Sequence, residues 1–134
     1  MLNLIFRWVI ATATFEIYGF SMTMRVTQYG EEILREKGEP VTEFGPDLHA
    51  LAGKMLATME KAEGIGLAAQ QVGLPLRFCV VDLGPAASEA GETLLDGRPV
   101  PPTVLMPLYL ANPRIEFPAP DDTDVMEEGC LSIQ

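Results

Sequence analysis

An amphipathic segment at residues 47–61 limits most strongly what this chain can fold into. Its apolar side chains recur at helical spacing: Leu48, Leu51, Met55, Met59 and Ala62. The Pro46-Asp47 pair supplies a helix start signal and Gly64 a stop signal. The pattern predicts one helix whose apolar stripe, methionines included, packs against a protein core.

Short apolar stretches after this segment are typical of β-strands. We predict strands at residues 76–82, 104–111 and 114–117. Pro107 implies an edge position or a bend in the second of these, and Asn112-Pro113 marks a turn. Residues 84–103 are rich in Gly, Pro, Ser and Glu and predict a surface loop or hairpin excursion, and residues 118–124 a polar connection. One helix among several short strands favours an α+β fold.

Composition excludes several classes of function. A chain of 134 residues with 48% hydrophobic and 21% charged residues can bury a real core in one domain. Its formal net charge of -10 argues against direct nucleic-acid binding, which needs a Lys/Arg-rich face. Cys79 lies in an apolar run, Cys130 lies among polar residues, and two such cysteines form no disulfide framework. The sequence therefore predicts a protein of the reducing cytoplasm.

Residues 1–23 form an apolar extension that we separate from a domain at residues 24–134. The extension is short and Arg7 interrupts it, so it predicts no membrane span. Ala11-Thr12-Ala13 is compatible with a weak secretory signal. We favour a translation start at Met22 or Met24, which would make the extension an error of the assigned start.

Residues 64–73, Gly-Ile-Gly-Leu-Ala-Ala-Gln-Gln-Val-Gly, leave the backbone with little side-chain cover. Glycines 64, 66 and 73 do not have the dinucleotide-binding spacing, and they follow a helix instead of opening one. One interpretation is a backbone that pairs with an extended ligand while the Gln71 amide stabilises an oxyanion. The alternative is a tight helix-to-strand turn with a solvated glutamine.

Residues 127–132, Glu-Glu-Gly-Cys-Leu-Ser, place a cysteine in a polar setting. Its thiolate could bind zinc or iron, with Gly129 permitting close approach, or it could be a nucleophile that needs a histidine base. A lone loop cysteine without function is the third interpretation. The acidic residues nearby lack the spacing of an EF-hand, and a solvated loop face explains them.

Taken together, residues 64–73 and 128–132 resemble the first two signature motifs of the peptide deformylases. The order of other residues agrees with that family: Ile33-Leu34-Arg35, Pro40-Val41, Met55, Thr58-Met59 and Asn112-Pro113. The resemblance implies an α+β fold of short antiparallel strands packed around helices. It also implies a hydrolase of protein biosynthesis, which removes the N-formyl group from the initiator methionine of nascent polypeptides near the ribosome.

The resemblance assigns roles to individual residues. Cys130 matches a ligand of a divalent metal, Fe²⁺ in most members and Zn²⁺ or another metal in some, which activates the attacking water. Gln71 and the backbone N–H of Leu131 match the two donors to the formyl oxygen. Three further residues match the substrate-binding region: Ile65, Gly66 and Glu128.

The family's third motif, His-Glu-x-x-His on a catalytic helix, does not occur in residues 1–134. The sequence has a single histidine, His49, and Ile133-Gln134 departs from the family's Ile-Pro. We therefore expect a domain truncated at its C-terminus, which alone retains no stoichiometric metal and releases no formate. Two alternatives are a non-catalytic peptide-binding protein and a thiol hydrolase that uses Cys130 with His49 as base.

Overall fold

A computed structural model describes residues 23–88, 91, 93–116 and 128–133. The predictions made for residues 1–22 and for the connection at 118–124 lie outside these ranges. The α-helices are α1 (Pro46–Lys61) and α2 (Pro102–Leu105), and 3₁₀-helices occupy Glu32–Arg35, Ala69–Val72 and Gly84–Ser88. The strands are β1 (Gly66–Ala68), β2 (Phe78–Val81), β3 (Leu94–Leu95), β4 (Arg98–Pro99) and β5 (Leu108–Ala111).

Helix α1 confirms the prediction made for residues 47–61 and extends it by one residue, to Pro46. Proline is favoured at this end because the first helical N–H groups have no partner within the helix. Of the predicted apolar stripe, Met55 and Met59 are buried and Leu48 and Leu51 partly buried, whereas Ala62 follows the end of the helix and is exposed. Ala52 and Thr58 complete the buried face of α1. Among the described residues, no helix is both long enough and apolar enough to cross a bilayer.

Three antiparallel strands form the main sheet, in the order β1-β2-β5. Gly66 lies opposite Val81, and Phe78 lies opposite Ala111. Along β2 one face is buried and the other half-buried. Cys79 lies on the half-buried face, and its partial burial raises the pKa of the thiol. The sheet and α1 enclose one core: Val41, Ala52, Met55, Met59, Leu67, Ala69, Val72, Phe78 and Val80. The α+β prediction is confirmed.

The connection between β2 and β5 differs in part from prediction. Strands β3 and β4 form a hairpin whose turn residues have positive φ, which confirms the hairpin excursion. The strand predicted at residues 104–111 begins only at Leu108, because Pro102 instead favours a helical turn at α2. The strand predicted at 114–117 is wrong for residues 114–116, since Asn112, at φ 54°, turns the chain out of the sheet. Residue 117 is not described.

The N-terminal segment at residues 24–29 connects three distant parts of the chain. The Met24 N–H donates to Thr58 Oγ1 on α1 at 2.8 Å. The Thr27 N–H donates to the Gln71 carbonyl at 2.8 Å, and the Tyr29 N–H donates to the Ser132 carbonyl at 2.7 Å. This segment therefore holds the loop at residues 128–133 beside the 3₁₀-helix that contains Gln71.

An exposed ion pair stabilises the turn that follows this segment. Both Arg25 guanidinium NH₂ groups donate to the Glu31 carboxylate, at 2.9 and 2.6 Å, and the Gln28 N–H donates to the same carboxylate at 2.6 Å. The Arg25 bonds, followed by the Gln28 N–H, lower the pKa of Glu31 to about 2. The pair therefore adds stability above the ordinary glutamate pKa and loses it as the pH falls through about 2.

We expect Arg25→Ala to raise the Glu31 pKa toward its ordinary value, as measured by carboxyl NMR titration. At neutral pH the variant should be slightly less stable than the wild type. This difference in the free energy of unfolding should disappear as the pH falls from the ordinary glutamate pKa to about 2. A deficit of constant size across that window would contradict the assignment of the pKa shift to this pair.

Candidate active site

A cleft of about 610 Å³ opens between the edge strand β1 and the loop at residues 128–133. It is lined by Glu63, Gly64, Ile65, Gly66, Gln71, Gly129, Cys130, Leu131 and Ile133. Five of the six site residues suggested by the sequence are among these lining residues. The fold thus brings the two motif segments together around one cavity.

The side chain of Gln71 has a defined orientation. Its Oε1 accepts the Ala68 N–H at 3.0 Å, so its NH₂ group turns toward the loop at residues 128–133. Nε2 lies 3.2 Å from Ser132 Oγ and 3.9 Å from Cys130 Sγ. Because a backbone N–H can only donate, the Ala68 contact fixes which end of the carboxamide faces the cleft. The amide is therefore preorganised as a hydrogen-bond donor.

The open edge of β1 offers backbone groups to the cleft. The Asp82 N–H donates to the Ile65 carbonyl at 3.0 Å, which makes Ile65–Asp82 a hydrogen-bonded pair of the antiparallel ladder. Such pairs alternate along a ladder, so the N–H and C=O of the next residue, Gly66, point away from β2. A peptide in extended conformation could pair with Gly66 from that side, while the exposed Ile65 side chain provides an apolar contact.

Cys130 is exposed at the cleft, and both cysteines of the chain are free thiols. A thiolate is a suitable ligand for zinc or iron, but a catalytic metal usually has about three protein ligands. Within the described ranges, no cluster of three or more His, Cys, Asp or Glu residues could hold a metal ion. Cys130 therefore fits the chemistry of a metal site as one ligand, and the described residues do not complete that site.

The side chain of Leu131 packs against Gly64, at the entrance to β1. A Cβ atom added at Gly64 would lie 2.6 Å from Leu131 Cδ1 and 3.2 Å from Cγ. Glycine at this position therefore lets the loop that contains Cys130 approach the start of β1. In the described part of the chain, no group accepts a hydrogen bond from the Leu131 N–H.

We expect Gly64→Ala to destabilise the protein by about 1 kcal/mol in denaturant unfolding, the lower end of the range for overpacking, because the added methyl displaces the flexible end of the Leu131 side chain. The matched control is Gly53→Ala on α1, where an added Cβ meets nothing within 4 Å. That variant should instead be stabilised by about 0.5–1 kcal/mol, since alanine favours the helix. Equal effects at the two glycines would contradict the packing of Leu131 on Gly64.

Two residues considered in the sequence lie apart from this arrangement. Glu128 is exposed and precedes the lining residue Gly129 without lining the cleft itself. His49 is exposed in the first turn of α1, and the cleft's described lining does not include it. The structure thus does not place His49 as a base beside Cys130.

Sequence reasoning missed two residues that support the cleft. The Ser132 hydroxyl accepts from Gln71 Nε2, and Thr27 bonds to the Gln70 and Gln71 carbonyls through Oγ1 and N–H. Ser132 stands inside the second motif, which was a signal that it has a role. For Thr27 the sequence carried no signal, because its bonds reach residues 43 positions or more away.

Comparisons with known proteins show the family of this chain. A family model described as polypeptide deformylase matches residues 23–134. The peptide deformylase of Opitutus terrae is 46% identical over 112 residues, which are 84% of this chain and 58% of that protein. This chain thus spans little more than half the length of that relative.

Two solved structures are similar as well. The peptide deformylase of Synechococcus elongatus in complex with actinonin gives a TM-score of 0.65 at 31% identity, covering 94% of this chain and 57% of that one. The Met-Ala-Ser-bound class I type b peptide deformylase of Acinetobacter baumannii gives 0.63 at 28% identity, covering 85% and 67%.

Proposed function

Because this chain belongs to the polypeptide deformylase family, we propose that its cleft is the formyl-recognising part of a peptide deformylase. This hydrolase would remove the N-formyl group from the initiator methionine of nascent polypeptides. The observation that carries the proposal is the Gln71 carboxamide, fixed by the Ala68 N–H with its NH₂ group turned toward Cys130.

Two donors would bind the formyl oxygen in this account. Gln71 Nε2 is one and the N–H of Leu131 is the other, and both residues line the cleft. As water adds to the formyl carbon, the formyl oxygen gains negative charge. Donors that already point at this oxygen stabilise the charge without reorganising. The tetrahedral species then collapses: the C–N bond breaks, the proton lost by the attacking water passes to the leaving nitrogen, and formate and a free α-amine are released.

The peptide would extend along the edge of β1. Gly66 presents its N–H and C=O to that side, and Ile65 contributes an exposed apolar side chain. Glu128, exposed next to Gly129, is the third substrate-binding residue that we propose. The tripeptide bound to the Acinetobacter baumannii relative begins with methionine, which supports N-formyl-methionyl peptides as the substrate class here. We place the protein in the cytoplasm, near ribosomes.

Cys130 is the metal ligand that we assign to this part of the chain. Its thiolate suits Fe²⁺ or Zn²⁺, and such an ion would supply Lewis-acid activation of water when bound. The described residues offer this one ligand, so further ligands would have to come from outside the described residues.

Formate release tests the proposal. The intact protein that carries this chain, supplied with Fe²⁺ or Zn²⁺, should convert N-formyl-Met-Ala-Ser into equal amounts of formate and Met-Ala-Ser. Cys130→Ala should abolish turnover, whereas Cys79→Ala, which removes the thiol on β2, should retain it. Turnover that survives Cys130→Ala, or an equal rate with the N-acetyl peptide, would contradict the proposal.

A further inference from the structure

Ser132 is a buried polar residue next to the cleft. Its exposed fraction is 3%, although the three residues before Leu131 are exposed. The backbone around it is fixed, because the Tyr29 N–H donates to its carbonyl at 2.7 Å and the Ile133 N–H donates to the Cys130 carbonyl at 3.1 Å. With the backbone held in this way, the Ser132 hydroxyl oxygen lies 3.2 Å from Gln71 Nε2.

The carboxamide is held at both ends. Oε1 accepts the Ala68 N–H at 3.0 Å, and Nε2 donates to Ser132 Oγ at 3.2 Å. An amide nitrogen carries two hydrogens, so the bond to Ser132 leaves one N–H for another acceptor. The other described contact of Nε2 is the long one to Cys130 Sγ, at 3.9 Å on the cleft side.

We propose that Ser132 is a positioning residue, whose hydroxyl sets the Gln71 amide plane so that its second N–H points at the formyl oxygen. This inference rests on the proposed function and gives a specific role to a motif residue that the family resemblance left without one. Ser132 acts through Gln71 and does not itself contact the substrate.

Thr58 provides the comparison that distinguishes positioning from ordinary burial. The residue is as buried as Ser132, at 3% exposed. The Thr58 hydroxyl accepts the Met24 N–H and donates to the Lys54 carbonyl, so it satisfies backbone groups of the scaffold. The Ser132 hydroxyl, by contrast, has the side-chain amide of Gln71 as its partner among the described residues.

NMR of the Gln71 side-chain amide tests the proposal without requiring turnover. The two Nε2 protons are assigned by their loss in Gln71→Ala. In Ser132→Ala the proton that was bonded to Ser132 should move upfield, and exchange between the two proton sites should become faster. Ser132→Thr, which retains the hydroxyl, should keep both signals near their native positions, and so should Thr58→Ala.

Kinetics on N-formyl-Met-Ala-Ser supply the second readout. Ser132→Ala should lower kcat about 10- to 100-fold with little change in KM, because misplacing a catalytic group by about 1 Å can cost that much. Ser132→Thr should recover most of the loss, and Thr58→Ala should lower only Tm. In a Gln71→Ala background, Ser132→Ala should add no further loss.

Unchanged Gln71 amide signals in Ser132→Ala would overturn the positioning role, and so would a full additional loss of kcat in the Gln71→Ala background. If the intact protein that carries this chain, supplied with Fe²⁺ or Zn²⁺, releases no formate, the proposed function is contradicted instead. In that case the amide signals would still confirm or refute the contact between Ser132 and Gln71.

Discussion

Replacing Gln71 by alanine is expected to lower kcat for formyl-peptide hydrolysis by roughly 10²–10³-fold, the usual effect of removing one oxyanion donor. The Ala68 N–H fixes the direction of this donor, so the binding energy is available in the transition state without reorientation. KM should change much less than kcat, because the charge that Nε2 stabilises is largest in the transition state. Steady-state formate release measures both constants.

Two further variants separate loss of the donor from damage to the fold. Gln71→Glu retains an oxygen for the Ala68 N–H, yet it replaces the NH₂ group by an acceptor that repels an oxyanion. It should therefore be at least as impaired as Gln71→Ala. Gln28→Ala is the matched control, since that amide bonds to the Val26 carbonyl within the N-terminal segment. If Gln71→Glu retained wild-type kcat, Gln71 would not be a donor to the formyl oxygen.

Replacing Met55 by alanine is expected to destabilise the protein by about 2–5 kcal/mol, the range for truncating a long side chain in a core. Met55 is fully buried on the face of α1 that packs against the sheet. Truncating the Met55 side chain loses the free energy gained by burying its apolar atoms. It also leaves a cavity in the core that contains Leu67 and Val80. Urea unfolding with a global fit of the m-value measures the change.

His49→Ala on the same helix is the control for this measurement. His49 is exposed, so its truncation should change stability by no more than about 0.5 kcal/mol. His49→Ala should also leave formate release unchanged. A thiol hydrolase that used His49 as the base for Cys130 would instead lose activity in this variant. A loss below about 1 kcal/mol in Met55→Ala would mean that α1 does not pack as described.

Elements that the local sequence pattern determines could be predicted, whereas elements that depend on contacts between distant residues could not. Helix α1 followed from its apolar spacing, because burial of one face is what stabilises an amphipathic helix. The start of β5 could not be predicted from hydrophobicity, because the apolar run at residues 104–111 includes the end of α2. Pro102 favours that helical turn, so the strand begins only at Leu108. The Asn112 side chain bonds both the N–H and the carbonyl of Val41, which are 71 positions away, and no local signal indicates this.

The same distinction applies to the cleft. The residue types at Gln71 and Cys130 suggested a donor and a thiolate ligand, and the family resemblance joined them in one site. Their actual relation depends on contacts across the chain, such as the Tyr29 N–H to the Ser132 carbonyl. The orientation of the Gln71 amide depends on the Ala68 backbone, which only the short strand β1 followed by a 3₁₀-helix brings into position.

Binding of matched peptides tests the central claim most directly, because it isolates recognition of the formyl group from every later step. Isothermal calorimetry, with no Fe²⁺ or Zn²⁺ added so that the formylated peptide is not hydrolysed, would compare N-formyl-Met-Ala-Ser with unformylated Met-Ala-Ser, on the wild-type chain and on Gln71→Ala. We expect the wild type to bind the formylated peptide about ten-fold more tightly, as one or two added hydrogen bonds would give, and Gln71→Ala to lose this preference. Equal affinity for the two peptides in the wild type would contradict this expectation and would favour a peptide-binding protein that does not read the formyl group.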